Sequence, residues 1–302
     1  MLDESILRGN FIVKIYLSYT IMIETPIIEI KKSLSKEIPP DLINYLPEKW
    51  EKIGNVLIIK FNENLKKYKE KICQKYAEIL QCKTILNDIG GISGEYRKPK
   101  VEVLYGSKNT ETIHKENGIK YKLDPCKIMF SSGNMDERIR MANISNKNET
   151  VVDLFAGIGY FTLPIAFYSK PKKIYSCEIN PDAYKFLCEN IVLNHVTKIV
   201  KPILGDNRIN APKNVAERVI MGYINDTHKF LSTAINCLKN HKGIIHYHDV
   251  FPNEIIPQKP LKIIKETTKK YNIEINQVKH RFIKSYAPGI SHVVFDIEIG
   301  DK

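Results

Sequence analysis

TVVDLFAGIGYFTLPIA (residues 150–166) reads as a buried strand, a glycine-bearing turn and the start of a helix. Gly157 and Gly159 let the chain bend sharply and let a ligand approach the backbone where a side chain would clash. A dinucleotide-binding fingerprint would carry a third glycine at 162, but Thr162 stands there. Two glycines also suit a plain structural turn, so the surrounding sequence has to decide.

Downstream the same rhythm repeats. KIYSCE (173–178), IVKPIL (199–204), RVIMGY (218–223) and GIIHYH (243–248) are short β-rich runs with helical patterns between them. One such helix carries Tyr184, Leu187, Cys188 and Ile191 after the start signal Asn180-Pro181, and another follows Asp226-Thr227. Strand-helix alternation of this kind predicts an α/β fold, a Rossmann-like parallel sheet with helices on both faces. QVKHRFIKSYAPGISHVVFDIEI (277–299) adds two strand-like runs around Pro288-Gly289, an antiparallel C-terminal hairpin of the kind class I AdoMet-dependent enzymes carry.

Each of the next two strands ends on a polar group. Glu178 closes the second, where a carboxylate can take both hydroxyls of a ribose. Asp206-Asn207 follow the third, a natural place to meet an adenine amino group, although GDN is also good turn chemistry. Three such sites in order after successive strands favour S-adenosyl-L-methionine (AdoMet) over NAD.

Upstream the chain reads as a smaller α+β unit. The segment 41–61 ends in a strand after Gly54, and Leu65, Tyr68, Ile72, Tyr76 and Ile79 predict a helix of about five turns from near Asn64. ETIHKENGIKYKLD (111–124) alternates around Asn117-Gly118 and predicts a β-hairpin. The expected division is a possible extension over 1–21, an N-terminal α+β domain over 22–128 and an AdoMet-binding catalytic domain over 129–302. Met22 offers an alternative start. The apolar run 11–23 contains Lys14 and is too short to cross a bilayer, so no membrane partner is expected.

A formal charge of +12 favours a polyanionic partner, and the excess is shared: residues 1–130 hold 22 Lys/Arg against 17 Asp/Glu. A lysine-rich solvated surface would give the same count. Six cysteines without a CxxC pair fit a reduced cytosolic setting. His246 and His248 in HYHD share a strand face, but no third ligand is evident and no metal is expected.

RKPKVEVLYG (97–106), TETIHKENGIKY (110–121), MFSSGNMDERIRMA (129–142), DLFAGIGYFTLPIA (153–166), DNR (206–208), RVIMGY, IHYH and KSYAPGISHVV (284–294) together resemble one family. It is the archaeal type of tRNA wybutosine-synthesizing 3-amino-3-carboxypropyltransferase, related to the tRNA guanine-N1-methyltransferases acting at position 37. The resemblance implies transfer of the aminocarboxypropyl group of AdoMet to C7 of 4-demethylwyosine at position 37 of phenylalanine tRNA, releasing methylthioadenosine. It implies that Ser131 and Arg138 hold the amino-acid end of AdoMet, Glu178 the ribose, and Asp206 with Asn207 the adenine. Ser132 stands beside Ser131 and leaves open which serine makes the contact. Arg138 and Arg140 could instead lie on an exposed helix face and meet tRNA phosphates.

Met221-Gly222-Tyr223 replaces the Asn/Asp-Pro-Pro-aromatic strand end with which many nucleobase methyltransferases grip an amine. A ring-carbon nucleophile needs no such acceptor. Gly222 would leave room for a tricyclic base, and Tyr223 would stack on it or shape the wall. His246, His248 and Tyr223 are available as a proton acceptor by position only, so no catalytic residue is assigned. The alternative enzyme is a guanine-37 N1-methyltransferase, and the alternative outside enzymes is an RNA-binding protein that kept the fold.

Overall fold

The computed structural model describes residues 25–94 and 96–300; the apolar run 11–23 and the alternative start at Met22 lie outside them. The N-terminal part contains α1 (Pro26–Leu34), β1 (Trp50–Ile53), β2 (Val56–Ile59), α2 (Lys69–Ile79), β3 (Thr84–Ser93) and β4 (Lys98–Gly106). The strands form one sheet in the order β1-β2-β3-β4, with β2 and β3 parallel and the outer pairs antiparallel. Ile30 and Leu34 of α1 and Ile72, Cys73 and Tyr76 of α2 pack with Leu57, Ile59 and Ile85 of the sheet. The expected helix from Asn64 begins instead as a 3-10 segment, Glu63–Tyr68, capped by the Asn62 side chain, and becomes α-helical at Lys69. The apolar stripe still faces the core because Leu65, Ile72 and Tyr76 are all fully buried.

β5 (Thr112–Glu116) and β6 (Ile119–Leu123) form the predicted hairpin, with Asn117 and Gly118 at φ 47° and 75°, the left-handed pair that a two-residue turn requires. They precede α3 (Met135–Met141).

The C-terminal part runs β7 (Thr150–Asp153), α4 (Thr162–Tyr168), β8 (Lys173–Glu178), α5 (Pro181–Leu193), β9 (Val200–Leu204), α6 (Asn207–Asn210), β10 (Arg218–Met221), α7 (Leu231–Cys237), β11 (Gly243–Pro252), α8 (Gln258–Lys270), β12 (Glu274–Ala287) and β13 (Ile290–Gly300). Its seven strands lie in the order β9-β8-β7-β10-β11-β13-β12. β7 to β11 are mutually parallel, and β13 runs antiparallel between β11 and β12, as the Pro288-Gly289 hairpin predicts. This is the sheet of a class I AdoMet-dependent transferase. Strand pleating sends successive residues to opposite faces. Val151 packs with Leu163 and Ile165 of α4 and Phe186 and Leu187 of α5, while Val152 packs with Leu231 and Ile235 of α7 and Ile264 of α8. Among the described residues no helix is long and apolar enough to cross a membrane.

The β5–β6 hairpin joins the two sheets. Asn190 on α5 and Asn194 at its C-cap, one turn apart, act as surrogate strand partners for β6: each accepts from a backbone N–H and donates to the C=O of the same residue, Lys122 and Lys120 respectively. On the other edge the N–H groups of Gly54 and Asn55 donate to His114 Nδ1 and Thr112 Oγ1. Asn190 is fully buried and also donates to Ile158 O at 3.1 Å. Asn190→Leu, which strands the Lys122 amide, is expected to destabilise the protein by about 1–3 kcal/mol, read as a lower urea midpoint at unchanged m-value.

Candidate active site

The strand order reverses between β7 and β10, whose connections leave to opposite faces, and a crevice opens at the carboxyl ends of the strands. A cavity of about 290 Å³ occupies it. Its floor is the 154–161 turn, Glu178 to Asn180, Gly205 to Arg208, Gly222 to Ile224 and His248; Tyr96, Arg97, the 128–138 segment, Lys284, Tyr286 and His292 close it from above. All five residues singled out from the sequence, Ser131, Arg138, Glu178, Asp206 and Asn207, line this one space.

Gly157 and Gly159 have φ of 57° and 103°, which makes the turn after β7 possible. The Gly157 N–H donates to Glu178 Oε2 at 2.7 Å, and Asn180 N donates to Oε1 at 2.8 Å. Burial pushes the Glu178 carboxyl upward, against those two amides. Thr162, at the missing-glycine position, is fully buried and donates to Asp153 Oδ2 at 2.8 Å, beside Ser176 Oγ at 2.9 Å. It ties the turn to the ends of β7 and β8, work a glycine could not do. Burial raises the Asp153 carboxyl to about 6.

At the α6 end, the Asp206 carboxylate caps the helix and is gripped by the Arg208 guanidinium, which lowers its pKa. Asn207 donates from Nδ2 to Leu154 O at 2.7 Å, while its Oδ1 is buried without a partner. The free acceptor of the pair therefore belongs to Asn207. Tyr223 stacks on Phe155 at 4.9 Å, with Phe230 edge-on to both, so one face of its ring is already covered. A Cβ on Gly222 would lie 2.7 Å from the Phe161 ring, which in turn stacks on His248 at 5.3 Å. Gly222 thus keeps the Phe161–His248 wall in place.

The opposite end is built around Arg138. It is 2 % exposed, so it is not on an exposed helix face as one reading of its helix allowed. Its Nε and Nη2 donate to Glu116 Oε1 and Oε2, both at 2.6 Å, and Nη1 donates to Ser131 O at 2.9 Å. Ser131 Oγ accepts from Lys284 Nζ at 3.1 Å; Ser132 does not line the cavity and instead donates its N–H to Glu51. Burial and the charge of Arg138 lower the Lys284 pKa. Sequence reasoning quoted the segments holding Lys284, His292 and Arg97 but gave those residues no role. Their only signal was their place within those segments; the pairing of β12 with β13 is what brings 284 and 292 together.

Behind the cavity runs a chain of ion pairs and hydrogen bonds. Arg140 pairs with Glu137 at 2.7 Å and Asp296 at 2.8 Å, Asp296 with His246 at 2.5 Å, His246 with Arg218 at 2.8 Å, and Arg218 with Glu149 at 2.8 Å. His246 is thus a structural link, and burial keeps it below the ordinary imidazole range. His248 alone of the HYHD pair faces the cavity.

Burial would raise the Glu116 carboxyl, but His114 and the two bonds from Arg138 outweigh it and hold it at about 2. A depressed carboxylate contributes stability above its ordinary pKa, and that contribution is lost as pH falls through the folded value. Glu116→Gln is therefore expected to cost about 3 kcal/mol at pH 7, by leaving Arg138 buried and unpaired. The gap to the unaltered protein should narrow from pH 4.5 toward pH 2 in urea unfolding series.

Residues 112–276 match the family described as TRM5/TYW2 methyltransferase domain, and residues 30–110 match TYW2 N-terminal domain. A Pyrococcus horikoshii protein named tRNA(Phe) (4-demethylwyosine(37)-C(7)) aminocarboxypropyltransferase is 46% identical over 270 residues, spanning 89% of this chain and 96% of that protein. The Methanocaldococcus jannaschii protein of the same name is 50% identical over 248 residues, 82% of this chain and 96% of its own length. The crystal structure of P. horikoshii TYW2 in complex with MeSAdo superposes with a TM-score of 0.81 at 42% identity, covering 91% of this chain and 100% of that one. A Pyrococcus abyssi tRNA (guanine(37)-N(1))-methyltransferase Trm5b is more distant, 37% identical over 87% of this chain and 78% of that protein. Sequence, sheet order and cavity agree: the chain belongs to the TRM5/TYW2 family of AdoMet-dependent tRNA-modifying enzymes.

Proposed function

We infer that this protein transfers the 3-amino-3-carboxypropyl group of AdoMet to C7 of 4-demethylwyosine at position 37 of phenylalanine tRNA, releasing methylthioadenosine. The observation that carries this reading is the 46% and 50% identity, over nearly the whole length of each, to the two archaeal proteins that bear this activity in their names. The cavity fits AdoMet on its own terms. Glu178 would take the ribose hydroxyls, and the unpartnered Asn207 Oδ1 is free to accept from the adenine amine, with Asp206 beside it. Ser131 and Arg138 would frame the amino-acid end.

The sulfonium of AdoMet activates three carbon–sulfur bonds, so the group transferred depends on which carbon the protein presents. Orientation alone can be worth about 7–11 kcal/mol. The strand end Met221-Gly222-Tyr223 offers no side-chain acceptor for an amine, which suits a carbon nucleophile. Residues 22–128 and the basic surface would hold the anticodon-loop backbone, while the base leaves its stack and enters the cavity, a step easier in a loop than in a duplex. The six free thiols support a reducing cytoplasmic setting.

Incubation with AdoMet and tRNA bearing the tricyclic base, followed by mass spectrometry, is expected to yield methylthioadenosine. S-adenosylhomocysteine would instead support guanine-N1 methylation, and no by-product at all would support a binding protein. Affinity for tRNA is expected to fall with salt at a log–log slope of about −0.7 to −0.9 per phosphate contact; a slope near zero would mean that the +12 charge is only a solvated surface.

A further inference from the structure

We propose that His292 is the base that removes the proton from C7 of the acceptor ring, held in its working tautomer by His248 and Glu137. The assignment rests on the aminocarboxypropyl-transfer reading above and supplies the proton acceptor that the reaction requires.

His248 on β11 and His292 on β13 are diagonal neighbours on adjacent antiparallel strands, and both line the cavity. His248 Nδ1 lies 3.2 Å from His292 Nε2, so one proton is shared between the rings. The direction of that hydrogen bond is biased electrostatically from behind. Glu137, whose side chain is 1 % exposed, places Oε1 3.5 Å from His248 Nε2. A carboxylate there favours the proton on Nε2, although the separation is too long for a full hydrogen bond. His248 Nδ1 is then bare and accepts from His292 Nε2–H. His292 is left with an unprotonated Nδ1, for which no hydrogen-bond partner is found among the described residues. The stacking of His248 on Phe161 fixes the inner ring.

The position suits the chemistry. His292 is the register partner of Lys284, whose ammonium reaches Ser131 at the arm end of the cavity. Burial, with the Lys284 charge second, lowers the His292 pKa to about 4, so the ring is neutral and ready to accept near pH 7. The carboxylates at the other end are less available: Glu178 is held by two backbone amides and Asp206 by Arg208.

In the reaction the C7 electron pair forms a bond to the γ-carbon of the methionine arm. The γ-carbon–sulfur bond breaks, and its electrons leave with sulfur in methylthioadenosine. The ring is now a cation with both the proton and the new arm on C7. His292 Nδ1 takes that proton, and the C–H electron pair restores the aromatic ring. A weak base suffices because such a ring cation is a strong acid. The imidazolium returns its proton to water as products leave.

The test is single-turnover transfer by the full-length protein, using tRNA with protium or deuterium at C7, for His292→Ala and His292→Asn. AdoMet affinity by calorimetry serves as the folding control. Both variants are expected to bind AdoMet normally and to transfer more slowly by about 10²–10⁴-fold, with a deuterium effect larger than that of the unaltered protein. His248→Ala should slow transfer too, and His248→Asn, whose amide oxygen can replace Nδ1 as acceptor, should recover part of that loss. Unchanged rates without a deuterium effect in the His292 variants would overturn the assignment, as would loss of AdoMet binding in both. S-adenosylhomocysteine from the unaltered protein would overturn the transfer reading and this assignment with it.

Discussion

The reversal of strand order between β7 and β10 is the constraint on which the rest of the molecule depends. Parallel strands need crossovers, and where those crossovers diverge the carboxyl ends of the strands cannot be covered by their own connections. The uncovered crevice would collapse or flood without further walls. The 128–138 segment and the β12–β13 hairpin provide them, from parts of the chain more than a hundred and thirty residues apart in sequence. Ligand recognition at this site is therefore a product of tertiary closure and not of any one motif.

The cavity has two electrostatic characters. At the Glu178–Asn207 end, the polar groups are held close to the backbone: Glu178 by two amides, Asp206 as a helix cap that Arg208 also grips, Asn207 by a carbonyl. That arrangement leaves rigid acceptors and suits a nucleoside common to many reactions. At the other end, cations and imidazoles are held by side chains, with Arg138 neutralised by Glu116 and Lys284 resting on Ser131.

Much of this was legible before folding was considered. Asn117-Gly118 encodes its turn because few other pairs accept two successive left-handed residues, and Asn180-Pro181 opens its helix as expected. Glu178, Asp206 and Asn207 could be placed because strand ends are local features. What escaped depends on distant partners. The motif around Arg138 places it at the cavity, but nothing in the sequence shows that Glu116, twenty-two residues earlier, holds it through Nε and Nη2. Tyr223 reads as either a stacking platform or a wall residue, and only the fold shows that Phe155 covers one of its faces. β1, four residues long and only partly buried, lacks the apolar alternation that would announce a strand.

The chain of paired groups from Glu137 through Arg140, Asp296, His246 and Arg218 to Glu149 carries a consequence for how this sequence can change over time. Each member is an ion-pair or hydrogen-bond partner of the next, with neutral His246 bridging Asp296 and Arg218, so removing one leaves its neighbours only partly compensated inside the protein. Two losses in contact cost less than the sum of the two alone. Such a chain resists single steps and tolerates concerted ones, so its members should drift as a block. Descendants of this protein would keep all of the links or exchange several together, and hybrids joining a 137–140 segment to a foreign 296 partner would be the poorly folded ones.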